Sequence, residues 1–482
     1  MKKRCASSIR MAFKAAVLLL AGLAVLPGPG TEPYLFATPA LADDGDDGGG
    51  DDGDDGGGGG YSGGGGSAPP SVGGRPPRIL RQLFRPFRGA FRPSRPRRAA
   101  PAVQIPPMAE REIIALGLSG DNLAMLQTRG YELLEEIALP VLDGTVVKLE
   151  IPAATSLEAA RDEIRSLNAT AQVDFNHYYQ PSQDADGGSD CEGRGCWPRE
   201  LIGWPTDQAR SANGCRSPVR IGMIDTGINP DHEVFSGTAL EVKRIGDEED
   251  PQSGRQHGTA VAALLVGASS SRTPGLLGEA GLFAVDAFFR AGRDSDRAEA
   301  FHLIVAIDHL LSQQVSVINM SLAGEANDVL RRAIGQAVAD HNTVLVAAVG
   351  NEGPRAKPVY PAAYPGVLAV TAVDRRQRVY RRAVQGEHVD IAAPGVEIWT
   401  AASIRGARPK TGTSFAAPYV TAAVALMKAT DPEIRLDDIK RKLFAAAADI
   451  GEPGRDNVFG WGLMNASEIC GVFASPASIT TE

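Results

Sequence analysis

From about Ile202 onward the chain alternates short, almost unbroken apolar runs with helical segments, and this alternation restricts the fold more than any other feature. The apolar runs are VRIGMID, GLFAVDAFF, VSVINMSL, TVLVAAVG and VLAVTAVD. The helical segments between and after them are HGTAVAALLVG, EAFHLIVAIDHLLSQ, VLRRAIGQAVAD and FAAPYVTAAVALMKAT. A strand that is apolar on both faces must be covered on both faces. The pattern therefore predicts an α/β fold, a mostly parallel sheet flanked by helices. In such sheets sites gather beyond the carboxyl ends of the strands. Polar residues stand at those ends: Asp225 closes RIGMID and Asn351 follows VLVAAVG.

Residues 107–182, ahead of this region, carry a different pattern. REIIALGL reads as a strand, GDNLAMLQTRG as a short helix, and YELLEEIALPVLDGTVVKLEIP as two strands around Asp143-Gly144. TSLEAARDEIRSL follows as a helix capped by Thr155 or Ser156, and AQVDFNHYYQP closes as a strand. The order β-α-β-β-α-β is that of a small α+β ferredoxin-like domain, which by itself carries no function.

The N-terminus reads as an export signal. A basic head (Lys2, Lys3, Arg4, Arg10, Lys14) precedes the apolar run Ala15–Leu26, too short for a comfortable membrane span, and Ala40-Leu41-Ala42 offers a cleavage site. Residues 1–42 are thus expected to be a signal peptide, an uncleaved anchor being the alternative. Residues 43–106 follow with an Asp/Gly tract (Asp43–Gly66) and a Pro/Arg segment (Arg75–Arg98) that cannot bury a core, so they read as a disordered tether. The Arg-rich segment could touch an anionic membrane. Adjacent tracts of opposite charge read more simply as a soluble spacer. A net charge of −9 argues against nucleic acid as the main partner.

Export places the cysteines in an oxidising compartment. Cys5 would leave with the signal, and Cys191, Cys196, Cys215 and Cys470 remain, with three possible pairings. Cys191 with Cys196 and Cys215 with Cys470 is the pairing preferred here; free thiols or another pairing stay open. The spacings are not those of a zinc ribbon and no histidine accompanies them, so no metal is assigned.

Four polar residues could carry chemistry. Asp225 could accept an imidazole N–H, or simply end a strand. His257 opens a helix among Gly258, Thr259 and Ala260, neighbours small enough for close backbone approach. Asn351, beside glycines, could donate a hydrogen bond into a cleft or take a strained turn. Ser414 opens a helix after Gly412-Thr413, where it could cap the helix or use the positive N-terminal end of the helix.

Together these segments resemble the subtilisin-like serine proteases. Asp225-Thr226-Gly227, His257-Gly258-Thr259, AAVGNEG (Ala347–Gly353) and GTSFAAP (Gly412–Pro418) match that family's motifs in its order. The resemblance covers Gly203 to Cys470, and Glu110–Pro181 looks like the family's inhibitory pro-domain. It implies a subtilisin-like catalytic domain over 200–470, a pro-domain over 107–182, and a tail over 471–482. Ser414 is then the nucleophile, His257 the base, Asp225 its partner, and Asn351 with the Ser414 N–H the oxyanion donors. The acyl transfer needs no metal or organic cofactor.

The resemblance also makes Ser321, Leu322, Ala323 and Gly324 an edge strand for an extended polypeptide substrate, with Ala347 and Ala348 as one pocket wall. Val359 stands where the family often has glycine. It is expected to make the pocket shallow and to favour small or medium apolar side chains before the scissile bond; equal cleavage after Phe and after Ala in a peptide library would contradict this. The pattern Thr259-Ala260-Val261-Ala262 lacks the family's usual second histidine. The loop GASSSRTPG, with Arg272, lacks the Asn and Asp of its strong calcium site. The expected protein is an exported serine endopeptidase, periplasmic or extracellular. It would be made as a zymogen, inhibited by its own pro-domain, and cut between Tyr179 and Cys196. The alternative is a non-hydrolytic binding protein on the same fold, tethered by its Arg-rich segment. An esterase fits less well, since no G-x-S-x-G elbow surrounds Ser414.

Overall fold

The computed structural model describes residues 106–181, 185–186, 197–206, 210, 215, 219–246, 249–292 and 295–470. The signal segment, nearly all of the tether, Cys191, Cys196 and the 471–482 tail lie outside the described residues.

The first strand, β1 (Met108–Leu116), contains the run Ile113 to Leu116, and all four of these side chains are buried. Successive strand residues face opposite sides, so this sheet has two apolar faces to cover. Its own elements cover one. After β1 come α1 (Gly120–Thr128), β2 (Glu132–Leu139), β3 (Gly144–Glu150), α2 (Leu157–Leu167) and β4 (Gln172–Pro181), with antiparallel strands in the order β2-β3-β1-β4. Ile113, Ala115, Val147, Leu149 and Val173 pack with Leu123, Leu126, Ala160 and Ile164 of the two helices. Ser119 caps α1 and Ser156 caps α2, each accepting a backbone N–H at 3.2 Å. This is the expected ferredoxin-like order.

The opposite face, with Ile114, Leu116, Leu139, Leu142 and Val146, belongs to the core of the rest of the chain. Beyond β4 lie β5 (Ala185–Asp186), α3 (Trp197–Leu201), β6 (Arg220–Asp225), β7 (Ala239–Arg244), α4 (Gln256–Val266) and β8 (Gly281–Asp286). Next come β9 (Phe288–Arg290), β10 (Asp296–Glu299), α5 (Ala300–Ser312), β11 (Val317–Met320), β12 (Leu322–Gly324), α6 (Asp328–Ala339) and β13 (Val344–Ala348). The last elements among the described residues are β14 (Val367–Val373), β15 (Ile391–Pro394), β16 (Ile398–Ala401), β17 (Ala407–Thr411), α7 (Ala417–Thr430) and α8 (Leu436–Ala446).

The central sheet is parallel throughout, in the order β15-β14-β13-β11-β6-β8-β7. Every residue of β11, β13 and β14 is buried, as the unbroken apolar runs require. Helices α4 and α7 pack together on one face, and α5 with α6 on the other. The strand order reverses around β6, so the cleft expected at such a reversal opens at Asp225.

The small domain docks on α5 and α6. Asp308 of α5 accepts the N–H groups of Val141 and Leu142 at 2.9 and 2.8 Å, and Gln336 of α6 donates to Leu142 O at 3.2 Å. Lys148 of β3 is buried between Glu299 (3.1 Å) and Glu135 (3.3 Å), and Asn176 donates to the same Glu299 oxygen at 2.9 Å.

Two expected elements differ in detail. GLFAVDAFF is not one strand but two, β8 and β9, broken at Ala287 where Asp286 accepts the Phe288 N–H at 3.2 Å. Ser414 does not open the long helix: it sits in a 3₁₀ turn, Thr413–Phe415, and α7 starts at Ala417. The predicted Cys215–Cys470 disulfide forms, with Cα atoms 5.5 Å apart, and closes the large domain on itself.

Candidate active site

Asp225, the last residue of β6, is buried and reached by His257 from the first turn of α4. His257 Nδ1 lies 2.6 Å from Asp225 Oδ1. The same oxygen accepts the Thr226 N–H at 2.7 Å, which pins the carboxylate in its rotamer. The helix can come this close because residue 258 is glycine: a Cβ there would collide with the carbonyl oxygens of Thr226 and Gly227. Thr226 Oγ1 then accepts the Gly258 N–H at 3.0 Å, locking the start of α4 to the end of β6. The aspartate and histidine motifs thus meet as a unit.

Ser414 reaches the same place from the turn before α7, on the sheet face that α4 and α7 share, and is fully buried in this chain. Its carbonyl accepts the Ser321 hydroxyl at 3.0 Å; Ser321 in turn accepts from Asn319 at 3.0 Å, and Asn319 accepts from Thr421 of α7 at 2.9 Å. Asn351 uses its Oδ1 to accept both the N–H (3.1 Å) and the hydroxyl (3.0 Å) of Thr413. That choice turns the donor end of its planar amide, Nδ2, the other way. The Phe415 ring lies 5.7 Å from the His257 ring, centroid to centroid. All four candidate residues therefore converge, Asp225 and His257 in direct contact, Asn351 and Ser414 through Thr413.

A peptide strand already lies along the cleft. The end of β4 pairs antiparallel with β12, Pro181 opposite Leu322, Gln180 opposite Ala323 and Tyr179 opposite Gly324. Its other edge pairs with β10, Tyr179 opposite Ala298 and Tyr178 opposite Glu299. Tyr179 is fully buried and donates its hydroxyl to Glu325 O at 2.7 Å. Its ring covers Gly324 so closely that a Cβ there would strike it. Further on, β5 pairs with β17, Ala185 opposite Thr411. Ala347 and Ala348 end β13, fully buried, and Val359 packs against Gly350, where an added Cβ would come 2.8 Å from Val359 Cγ2.

Sequence reasoning missed Thr413, Asn319 and Thr421, the residues that hold the candidates in place. A buried Asn in the apolar run VINMSL was the available signal for Asn319. It also missed a second carboxylate behind the pair, Asp286, and Asp296, which accepts the Gly254 N–H at 3.1 Å and pairs with Arg290 at 2.9 Å. Burial pushes both carboxyls up, that of Asp286 to about 6. Among the described residues no group of three His, Cys, Asp or Glu side chains gathers as a metal site.

Comparison with known proteins shows the family and the fold. A family model described as the subtilase family matches residues 216–462. The chain is 30% identical to subtilisin DY of Bacillus licheniformis over 268 residues, 54% of this chain and 92% of that protein. It is 31% identical to the minor extracellular protease Epr of Bacillus subtilis (strain 168) over 262 residues, 53% of this chain but only 39% of Epr. The crystal structure of fervidolysin from Fervidobacterium pennivorans, a keratinolytic enzyme related to subtilisin, superposes with a TM-score of 0.64 at 20% identity. That match covers 75% of this chain and 61% of fervidolysin, and the likeness is one of fold.

Proposed function

The chain belongs to the subtilase family of serine endopeptidases, and from that premise we propose that it hydrolyses polypeptides through Asp225, His257 and Ser414. The observation that carries the reading is the 2.6 Å contact of His257 Nδ1 with buried Asp225, in a cleft that Ser414 and Asn351 share. Asp225 keeps the Nδ1 proton in place, so Nε2 carries the lone pair. His257 takes the proton of Ser414 Oγ as that oxygen attacks the peptide carbonyl, and returns it to the leaving amine. Asn351 Nδ2 and the Ser414 N–H stabilise the oxyanion; one such donor is worth ~10²–10³ in turnover. Water then repeats the sequence on the acyl-enzyme. Labelling of the matured protein by a fluorophosphonate probe, mapped to Ser414 without denaturation, tests the reading; an unlabelled matured protein would overturn it.

Residues 107–182 act on this proposal as an inhibitory pro-domain. Support comes from β4, whose end lies in the cleft as an added strand, the way an extended substrate binds a sheet edge. Self-cleavage between Tyr179 and Cys196 would release it, and the N-terminal basic-apolar segment would export the chain. Ser321–Gly324, Ala347, Ala348 and Val359 then serve the substrate.

The Lys148–Glu299 pair is expected to control how long the cut pro-domain stays bound. Removing one partner of a buried pair strands the other charge, at a cost of ~3–5 kcal/mol. Lys148→Met in the full chain should shorten the interval between self-cleavage and full peptidase activity by roughly 10²-fold or more. The exchanged pair Lys148→Glu with Glu299→Lys should restore part of the delay. A Lys148→Met protein with the wild-type interval would remove the pair from that role.

A further inference from the structure

The parallel register of the central sheet sets Asp286 of β8 directly beside Asp225 of β6, with Arg244 of β7 on its other side. Asp286 is buried, 8% exposed. Its Oδ1 accepts the Ser253 hydroxyl at 2.9 Å, and Ser253 Oγ accepts the Gly227 N–H at 2.8 Å. Gly227 lies two residues after Asp225, on the turn whose Thr226 holds the first turn of the His257 helix. Ser253 itself stands four residues before His257. One carboxylate is thus connected, through one hydroxyl, to both segments that bring Asp225 and His257 together. Nothing in the hydrolytic scheme above uses it.

We propose that ionised Asp286 is a positioning residue for the Asp225–His257 pair, acting through Ser253, and that its protonation slows turnover. This inference rests on the triad reading. An ionised carboxylate only accepts hydrogen bonds, so the Ser253 hydroxyl must donate to it. The lone pairs of Ser253 are then committed to the Gly227 N–H, which fixes the turn under the imidazole. A protonated Asp286 can donate to Ser253 instead. The Ser253 oxygen can still accept from Gly227, but its own proton is released from the carboxylate, and the charge-assisted bond that fixes the hydroxyl rotamer is lost. The negative charge next to the Asp225 strand, which favours the imidazolium formed during attack, is lost with it.

The surroundings make this titration accessible. Burial raises the Asp286 carboxyl to about 6, while Ser253, the Phe288 N–H and Arg244 act in the other direction and Asp225 adds to the rise. The charged groups facing this region are Asp225 from β6, Arg244 from β7, Arg255 and His257 around the start of α4, and the Arg290–Asp296 pair from β9 and β10. An acid group takes up its proton as pH falls through its pKa, so the loss appears on the acid side, below about 6.

The test is the pH dependence of kcat on a peptide anilide, with the matured enzyme first shown to label at Ser414. Each sample is returned to pH 8 afterwards to exclude inactivation. The wild-type profile should fall with a one-proton slope and bend to a two-proton slope below about pH 6. Asp286→Asn should retain a one-proton slope throughout and lose roughly tenfold in kcat at pH 8, with KM within about twofold. Ser253→Ala, which cuts the hydrogen-bonded connection and leaves the carboxylate, should shrink the bend to the part carried by charge alone. A purely structural carboxylate would lower Tm in Asp286→Asn and leave the profile shape unchanged. A wild-type profile without the bend, or a bend that survives in Asp286→Asn, overturns the proposal. Failure to label Ser414 at the outset would instead overturn the triad reading.

Discussion

Replacing Ser414 by alanine is expected to give a folded protein that neither hydrolyses peptides nor shortens itself. The side chain is fully buried, and the substitution removes a single oxygen without disturbing the backbone that positions it. Ser321 still donates to the residue 414 carbonyl, and Asn351 still accepts from Thr413. What disappears is the nucleophile, and loss of the nucleophile from such a triad costs roughly 10⁶-fold in kcat. The remaining oxyanion donors cannot supply a bond-forming atom. The measurement is a gel of purified full-length protein held at 25 °C, beside a peptide anilide assay. Appearance of a shortened species from Ser414→Ala expressed alone would show that another protease performs the cut. The same variant keeps β4 in the cleft indefinitely, which makes it the right material for comparing pro-domain docking in the Lys148 and Glu299 variants.

The sequence carried this site unevenly, for physical reasons. Strands buried on both faces, such as VLVAA and VLAVTAV, announce themselves because almost every residue in them is apolar. The small domain was legible for a related reason. Strand β2 keeps a period of two and α2 buries Ala160 and Ile164 at helical spacing, and Ser119 and Ser156 cap where serine should. Asp225, His257, Asn351 and Ser414 stood out by residue type at strand and helix ends, although none was decisive alone.

Of the two strands that flank the end of β4, β12 was found only through the family resemblance and β10 was not found at all. DRAE of β10 is polar and β12 is three residues long, so neither has a periodicity to read; their partner is β4, more than a hundred residues earlier. Lys148 and Glu299 are 151 residues apart, and nothing local marks them as a pair. Asp286 was hidden inside GLFAVDAFF, where it looked like one polar residue in a buried strand. Its meaning depends on the register with β6, a property of the sheet rather than of the segment. The start of α7 was misread because Gly412-Thr413-Ser414 has capping residues, yet the chain makes a 3₁₀ turn before the helix proper.

Asp225→Asn is expected to lower kcat by about 10⁴-fold while leaving KM and the fold nearly unchanged. The reason lies in what Asp225 Oδ1 touches. It accepts the Thr226 N–H at 2.7 Å and faces His257 Nδ1 at 2.6 Å, so it demands a proton on Nδ1 and leaves Nε2 as the base. An asparagine has two ways to sit there. With its amide oxygen at the Oδ1 position the tautomer survives, but no charge balances the imidazolium formed during attack. With the amide turned over, its NH₂ opposes the Thr226 N–H and donates to Nδ1. The ring proton then moves to Nε2, the atom that must accept from Ser414. Either arrangement removes the general base or the charge that stabilises its protonated form, in a buried site where water cannot substitute for it. The substitution does not touch β12, where the proposed reading places the substrate, which is why KM should hold. Steady-state kinetics of the matured enzyme, with its concentration fixed by fluorophosphonate titration of the wild type, separates the two parameters. A variant retaining a tenth or more of wild-type kcat would mean that His257 is oriented by something other than Asp225, and Asp286, one strand away, would be the first residue to test in its place.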